Sequence, residues 1–382
     1  MDNEDFEAVL GAVRTFVRRE VVPAEDEIEE TDRIPDRLRK QAADMGLFGY
    51  AIPEEHGGMG LSMQEEVRLA MELGWTTPSF RSMFGTNNGI AGQVLVNFGT
   101  EEQKQRYLPR LAAGELVASF ALTEPEAGSD PSGLRTRAVR DGDHYVVNGQ
   151  KRFITNAPDA DLFMVFARTG EATQGTQGIS VLAVDARADG VTIGPKDAKM
   201  GQRGAVTAEV FFDDVRVSAE DLVGGVEGAG FGAAMRSLAK GRLHIAALCV
   251  GLAQRLVDES VTYAATTKQG GRPIAEFQLV QAMLADSQTE TYAGRAMVME
   301  AARTYDDGTD QRLAPSSCKL FCTEMVDRVA DRAVQVHGGL GYMRSVPVER
   351  FYRDARLFRL YEGTSEVQRV IIARQLLRGA AK

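Results

Sequence analysis

Tyr361-Glu362-Gly363-Thr364-Ser365-Glu366-Val367-Gln368-Arg369 sets one carboxylate between an aromatic ring and a glycine, with small hydroxyl residues behind it. The run Val370 to Leu377 that follows reads as an apolar helix. Thr364 and Ser365 suit a helix N-cap, so Glu362 falls on the turn just before a helix start. A carboxylate mounted there can point into a cavity, as a general base must. A surface Glu beside a capping Thr has the same local features, and taken alone those features favour that plainer reading.

Working back from this stretch, the last third reads as long helices. Leu243 to Val257 is apolar nearly all round, as at the centre of a bundle. Pro315 suits a first helical turn, and the helix after it carries Cys318, Cys322, Met325, Val329, Ala333 and Val336 on one stripe. Two Cys four apart on a core face, with no His or third Cys nearby, read as structural thiols. His56, His144, His244 and His337 form no metal-spacing pair, and no metal is expected. The stretch Gly224 to Gly232 is glycine-rich but misses the Gly-x-Gly-x-x-Gly spacing, so it reads as a hinge and helix entry.

From Ala118 to about Val223 the apolar period shortens towards two, with turn signals at Asp141-Gly142 and Asn148-Gly149. Segments starting at His144, Lys151, Leu162, Ile179 and Ala208 read as strands. No helical stretches alternate with them, so an antiparallel barrel or sandwich is expected over 118–225. The first third, 1–117, reads as helical. Phe6, Val9, Leu10, Val13, Phe16 and Val17 form a stripe expected to stop at Pro23, and Ser62/Glu65 and Thr100/Gln103 make capping boxes. The expected class is therefore multidomain α+β: an N-terminal helical domain, a middle β domain and a C-terminal four-helix bundle over 226–382.

At 382 residues two or three structural units are expected. A net charge of −10 leaves no basic stripe for nucleic acid. No apolar run approaches the ~20 residues of a membrane span. The acidic opening Met1-Asp-Asn-Glu-Asp shows no targeting pattern, and three cysteines make no disulfide framework, so a cytoplasmic protein is expected.

The order helices, β segment, helices, closing on Tyr361–Arg369, resembles the acyl-CoA dehydrogenase family. Further motifs carry the resemblance along the chain: Ala51-Ile-Pro-Glu-Glu-His-Gly-Gly-Met-Gly, Ala121-Leu-Thr-Glu-Pro-Glu-Ala-Gly-Ser-Asp, Asn148-Gly-Gln-Lys-Arg-Phe-Ile-Thr-Asn and Gln335-Val-His-Gly-Gly-Leu-Gly-Tyr. The resemblance implies FAD as cofactor, an acyl-CoA substrate, an electron-transferring flavoprotein as acceptor, and a homotetramer built as a dimer of dimers. It implies formation of a trans-2-enoyl thioester, with Glu362 taking the α proton and flavin N5 the β hydride. Some members carry the base immediately before the Arg matching Arg242, where this chain has Gly241. Arg242 is then expected to organise base and acyl group. The backbone N–H of Glu362 and a ribityl hydroxyl would polarise the thioester carbonyl.

By the same resemblance, Phe120, Leu122 and Thr123 match isoalloxazine contacts. Phe153, Ile154 and Thr155 match positions covering the ring's face and edge, with ordinary β-core packing as a compatible reading of the apolar ones. Gln278, Gln335, Gly338, Gly339, Thr364 and Glu366 match other cofactor contacts, some of them to a neighbouring subunit's FAD. Ser129, Tyr361 and Gly363 match the substrate side. Two places depart from the pattern. Thr267 and Gly270 stand where an FAD-pyrophosphate Arg and a Phe are common, which predicts weaker FAD retention unless Lys268 or Arg272 supplies the charge. Ala239 replaces a common Asp, which leaves the substrate's carrier open. A same-fold oxidase or flavin hydroxylase using oxygen is the alternative. Retention of Glu362 disfavours the hydroxylase, and acyl length and branching are not legible.

Overall fold

The computed structural model describes residues 1–380. Seven helices come first: α1 (Asn3–Phe16), α2 (Glu25–Thr31), α3 (Asp36–Asp44), α4 (Met63–Leu73), α5 (Pro78–Gly89), α6 (Ala91–Phe98) and α7 (Glu101–Ala112). Both capping boxes form at the starts of α4 and α7. Pro23 does not end the first helical run. The chain widens into a π turn over Val17–Val21, where the Val22 N–H donates to Val17 O, and re-enters helix through a short 3-10 turn. The longer-range bond absorbs the donor that proline lacks.

The β region holds β1 (Ala118–Ala121), β2 (Arg137–Asp141), β3 (His144–Thr155), β4 (Leu162–Arg168), β5 (Ile179–Asp185), β6 (Val191–Ile193) and β7 (Thr207–Ser218). They form one curled sheet in the order β1-β4-β2-β3-β7-β6, with β5 on β4. The β2/β3, β3/β7, β4/β5 and β6/β7 pairings are antiparallel as expected, while β1 and β2 meet β4 in parallel. Asp141-Gly142 turns the chain, but Asn148-Gly149 does not. β3 runs straight through it with a register shift, because a Cβ on Gly149 would meet Thr136 Oγ1 at 2.5 Å. That glycine serves a close approach between neighbouring strands.

β4 is buried on both faces. Leu162, Met164 and Phe166 pack with α6 and α7, whereas Phe163, Val165 and Ala167 fill the concave side with Tyr145, Ile154 and Phe212. A period-2 element covered on both sides reads as a continuous apolar run, which is how 162–167 reads.

The chain then returns to helix: α8 (Gly230–Thr266), the small hairpin β8 (Lys268–Gln269) with β9 (Arg272–Pro273), α9 (Gln278–Asp306), α10 (Leu313–His337), α11 (Pro347–Phe358) and α12 (Ser365–Ala380). The long helices α8, α9, α10 and α12 supply the bundle, with α11 wedged against α8 and α10. Cys318, Cys322, Met325, Val329, Ala333 and Val336 are buried, and no group of metal-ligating side chains occurs among the described residues. One core runs from Phe6, Val67 and Phe84 through Leu248 and Leu252 to Val326 and Phe358, so the N-terminal helices share a single interior with α8, α10 and α11. No helix is long and apolar enough to cross a membrane among the described residues.

Candidate active site

Between α11 and α12 the chain makes a turn with two successive left-handed residues, Glu362 at φ 53° and Gly363 at φ 91°. A non-glycine residue there costs energy and persists only where surroundings enforce it. Lys319 Nζ, from α10, donates to Gly363 O at 2.7 Å, and Gln368 Nε2 donates to Gly363 O at 3.0 Å and Glu362 O at 3.3 Å. The Ser365 N–H reaches back to Arg359 O, and Thr364 Oγ1 accepts the Val367 N–H as the cap of α12. Gly363 is required here: a Cβ would meet Gln368 Nε2 at 2.5 Å.

This clamp delivers the Glu362 carboxyl into the interior, where Oε2 is buried without a hydrogen-bond partner. Burial raises its pKa above the ordinary Glu value, and Arg81, Lys319 and Arg242 pull it back in that order. A carboxyl tuned upward in a partly closed site is a better base near neutral pH. Arg242 comes from α8, is buried, and leaves Nε unpartnered, with its Nη1 at 3.5 Å from Ser316 Oγ. Burial lowers its pKa and Glu362 opposes that shift. Lys319 is fully buried, and burial lowers its pKa to about 8. Beside the carboxyl, Gly241 leaves space that a Cβ would fill, overlapping Glu362 Oε2. Tyr361 lines the turn with its ring 5.9 Å from Phe358.

A second group of expected residues gathers on the β region. β3 shifts register between Lys151 and Ile154, and within that bulge Phe153 adopts φ 57° and stays 62% exposed. Arg152 lies over its ring at 4.5 Å. A large aromatic displayed from a strained bulge suits stacking against a flat partner. Ile154 points the other way, into the sheet core, so only its backbone is available to a ligand. Thr155 O accepts from Ser119 Oγ at 2.8 Å, and Thr123 O accepts the Arg152 N–H at 2.9 Å, so β1 and β3 hold each other. Phe120 packs against Phe166 with centroids 4.7 Å apart and the rings tilted by 53°, and Leu122 is buried beside them. Lys151 fixes this corner from within, donating to Leu122 O (3.1 Å), Phe166 O (2.6 Å) and Glu124 Oε1 (2.8 Å). Ser129 is exposed on the loop after β1.

The remaining expected residues sit on the surface. Gln278 opens α9 and is exposed, as are Gln335 near the end of α10 and the glycines after it. Gly338, at φ 58°, and Gly339 face open space where a Cβ would meet nothing. Glu366 is exposed on the first turn of α12, and the Thr364 hydroxyl is engaged as a cap. A cleft of about 640 Å³ lined by Asp32, Arg39, Asn156 and Lys196 lies elsewhere and contains none of the expected residues.

Arg81, Tyr50 and Lys319 were not among the residues expected at the site. Arg81 is the sole charged residue of α5, a helix otherwise of small, apolar and amide residues, and that isolation in a buried segment was the available signal. Lys319 carried no such signal, since α10 also holds Glu324, Asp327, Arg328, Asp331 and Arg332.

Residues 3–115, 119–215 and 228–377 match the family patterns described as the N-terminal, middle and C-terminal domains of acyl-CoA dehydrogenase. The chain belongs to the acyl-CoA dehydrogenase family, whose members are flavoproteins acting on CH–CH bonds. It is 42% identical to a probable acyl-CoA dehydrogenase of Bacillus subtilis, YngJ, over 96% of each chain. It is 38% identical to the caffeyl-CoA reductase-Etf complex subunit CarC of Acetobacterium woodii, over 98% of this chain and 99% of that one. The structure of an acyl-CoA dehydrogenase complexed with FAD from Bacillus anthracis superposes with a TM-score of 0.91 at 34% identity, covering all of this chain and 68% of the other.

Proposed function

We propose that the protein catalyses FAD-dependent α,β-dehydrogenation of an acyl-CoA thioester to the trans-2-enoyl-CoA, passing electrons to an electron-transferring flavoprotein. The observation that carries this reading is the Glu362 carboxyl: buried, unpartnered at Oε2, raised in pKa and faced by Gly241. Phe153, Thr155, Phe120, Leu122 and Thr123, with the backbone of Ile154, would hold the flavin ring against the β region. The open cradle at Gly338-Gly339 fits close approach of a cofactor to backbone N–H groups. Gln278, Gln335 and Glu366 are exposed, which suits contacts to FAD shared across subunits of a homotetramer. A bound FAD supplies the two-electron acceptor that no side chain can.

Glu362 removes the α proton through Oε2, and the fixed turn keeps that oxygen directed at the substrate's Cα. Arg242, with Arg81 and Lys319, favours the ionised carboxylate against the effect of burial. The thioester oxygen gains charge as the proton leaves, and the Glu362 backbone N–H would be the protein donor that stabilises it. Tyr361 and Gly363 shape the walls beside the reacting carbons, and Ser129 contributes at the pantetheine arm. In the reverse sense Glu362 returns the proton, the direction named for the Acetobacterium woodii relative.

Anaerobic titration of the flavoprotein with a panel of acyl-CoAs tests the assignment. Bleaching of the flavin is expected with at least one thioester and is lost in Glu362→Gln with FAD still bound. Bleaching that persists removes Glu362 from its role, and rapid turnover with oxygen alone moves the protein to the oxidases.

A further inference from the structure

Glu362 is faced by three cations, from three helices. Arg242 (α8) and Lys319 (α10) belong to the bundle, but Arg81 comes from α5 in the N-terminal region. We propose that Arg81 is a positioning residue for the Glu362 carboxylate, and that a buried Lys240–Glu66–His244 chain holds its guanidinium in the orientation that does so. The proposal rests on the assignment of Glu362 as the base.

The geometry begins with a slot in α5. Gly85 and Gly89, four and eight residues beyond Arg81, leave its side chain room to lie along its own helix. A Cβ on Gly85 would meet Nη1 at 2.5 Å, and one on Gly89 would meet Nη2 at 3.2 Å and His244 Nδ1 at 3.3 Å. The next residue, Ile90, reaches the space beside Gly241 that Glu362 Oε2 also occupies. Arg81 is thus led along two glycines towards the carboxylate. Its Nε is buried without a partner, and so is the Tyr50 hydroxyl beside it.

His244 fixes the far side of the fork. Its Nε2 lies 2.5 Å from Glu66 Oε2, and its Nδ1 lies 3.1 Å from Arg81 Nη2. Nε2 donates to the carboxylate, which leaves Nδ1 as the acceptor for the arginine N–H. A protonated ring would turn Nδ1–H against that N–H, so the arrangement demands neutral imidazole. Burial, which lowers the His244 pKa to about 4, keeps it neutral. Lys240 Nζ, at 2.7 Å from Glu66 Oε1, neutralises the carboxylate. Burial acts to raise the Glu66 pKa, but Lys240 and His244 outweigh it and leave it lowered. For Arg81, burial acts to lower the pKa, while Tyr50, Glu362 and Tyr361 reverse it. The guanidinium therefore stays charged and oriented, with Nη2 spent on His244 and the unpartnered Nε in a pocket shared with Tyr50 and Glu362.

The test uses FAD-loaded enzyme and two readouts. The first is the acid limb of kcat/KM, which falls as Glu362 is protonated. Removing an opposing charge in Arg81→Met raises the pKa of Glu362 and moves that limb to higher pH by about one unit. The plateau kcat falls more than KM changes. His244→Phe moves the limb in the same direction by less, and His244→Gln, which keeps an acceptor, restores most of the shift.

The second readout does not need turnover. The folded-state pKa of Glu362 lies above its ordinary 4.5, so ionising it costs stability. That cost is absent below 4.5, grows as pH rises, and is complete above the folded pKa. Wild type therefore loses stability relative to Glu362→Gln as pH rises. In an Arg81→Met background this loss is larger and continues to higher pH. An unmoved acid limb together with an unmoved stability difference overturns the proposal. If Arg81→Met does not fold, Arg81→Lys decides, with a smaller shift of the same sign expected and none overturning it. If no thioester bleaches the unsubstituted enzyme, the dehydrogenase reading fails and the stability difference still tests Arg81.

Discussion

Gly241 and Glu362 occupy one space: the carboxylate oxygen Oε2 lies where a side chain on residue 241 would begin. A base carried from the position of Gly241 and a base carried from Glu362 are therefore sterically exclusive in this chain. Gly241→Ala tests the relationship with a single methyl. Overpacking of this kind costs about 1–3 kcal/mol. Displacing a reacting group by about 1 Å costs about 10²-fold in rate. The expected outcome is a folded, FAD-containing protein with kcat reduced at least that far, measured by steady-state turnover beside flavin content. Near-normal turnover would show that Glu362 works from another conformation.

Lys151 and Glu124 form a buried ion pair that ties the end of β1 to β3 and β4. Glu124 also accepts the backbone N–H groups of Arg135 (2.6 Å) and Thr136 (2.9 Å), so one carboxylate satisfies three donors. Breaking such a pair from one side costs about 3–5 kcal/mol, because the partner charge is stranded. Lys151→Met is expected to lose that much stability in urea unfolding and to release FAD, since Leu122 and Phe166 lose their tether. Lys151→Met with Glu124→Gln recovers part of the loss. A double variant whose loss equals the sum of the two single losses would show that the two residues are uncoupled.

How much of this was legible follows from the residues concerned. The capping boxes at Ser62 and Thr100, the buried stripe from Cys318 to Val336 and the doubly covered β4 declare themselves locally, because each depends on short-range spacing. Pro23 and Asn148-Gly149 misled because the same residues serve two purposes: a proline can be absorbed by a wider turn, and a glycine can admit a neighbour instead of turning the chain. Glu362 was legible as a carboxylate on a helix-entry turn, but its burial depends on Lys319, 43 positions earlier, and Arg81, far earlier still. Long-range partners leave no periodic mark. The only trace of Arg81 was a lone charge in an otherwise uncharged buried helix.

Lys319 gives a pH-dependent prediction. Its folded pKa of about 8 lies below the ordinary 10.5, so between these values the unfolded chain binds a proton that the folded chain has released. Stability attributable to Lys319 therefore rises with pH across that window and is lowest below it, where both states are charged. Lys319→Met should abolish that rise in urea unfolding measured from about pH 8 to 10.5, while leaving Gly363 O with Gln368 Nε2 as its remaining donor. The turn bearing Glu362 loosens, and kcat/KM falls even where the protein remains folded. An unchanged slope across the window would mean that buried Lys319 holds its proton as firmly as it does in the unfolded chain.

The hairpin after α8 is expected to set how firmly the cofactor is retained. Gly270 and Gly271 both have left-handed φ, 59° and 82°, which makes a two-residue turn between Lys268-Gln269 and Arg272-Pro273. Thr267 ends α8 and its carbonyl accepts the Ile274 N–H at 2.8 Å, so the position where the family resemblance leads one to expect an arginine is here part of the hairpin's closure. Arg272 lies over the Phe277 ring at 4.3 Å, next to Gln278 at the start of α9. A charge-assisted phosphate contact is worth about 1.5–3 kcal/mol, or about tenfold or more in affinity. Thr267→Arg is expected to raise FAD affinity by about that factor, and Lys268→Ala with Arg272→Ala to lower it. Flavin fluorescence quenching on titrating apoprotein with FAD measures both. Wild-type affinity surviving the double alanine substitution would exclude these two side chains as the replacement for the missing arginine.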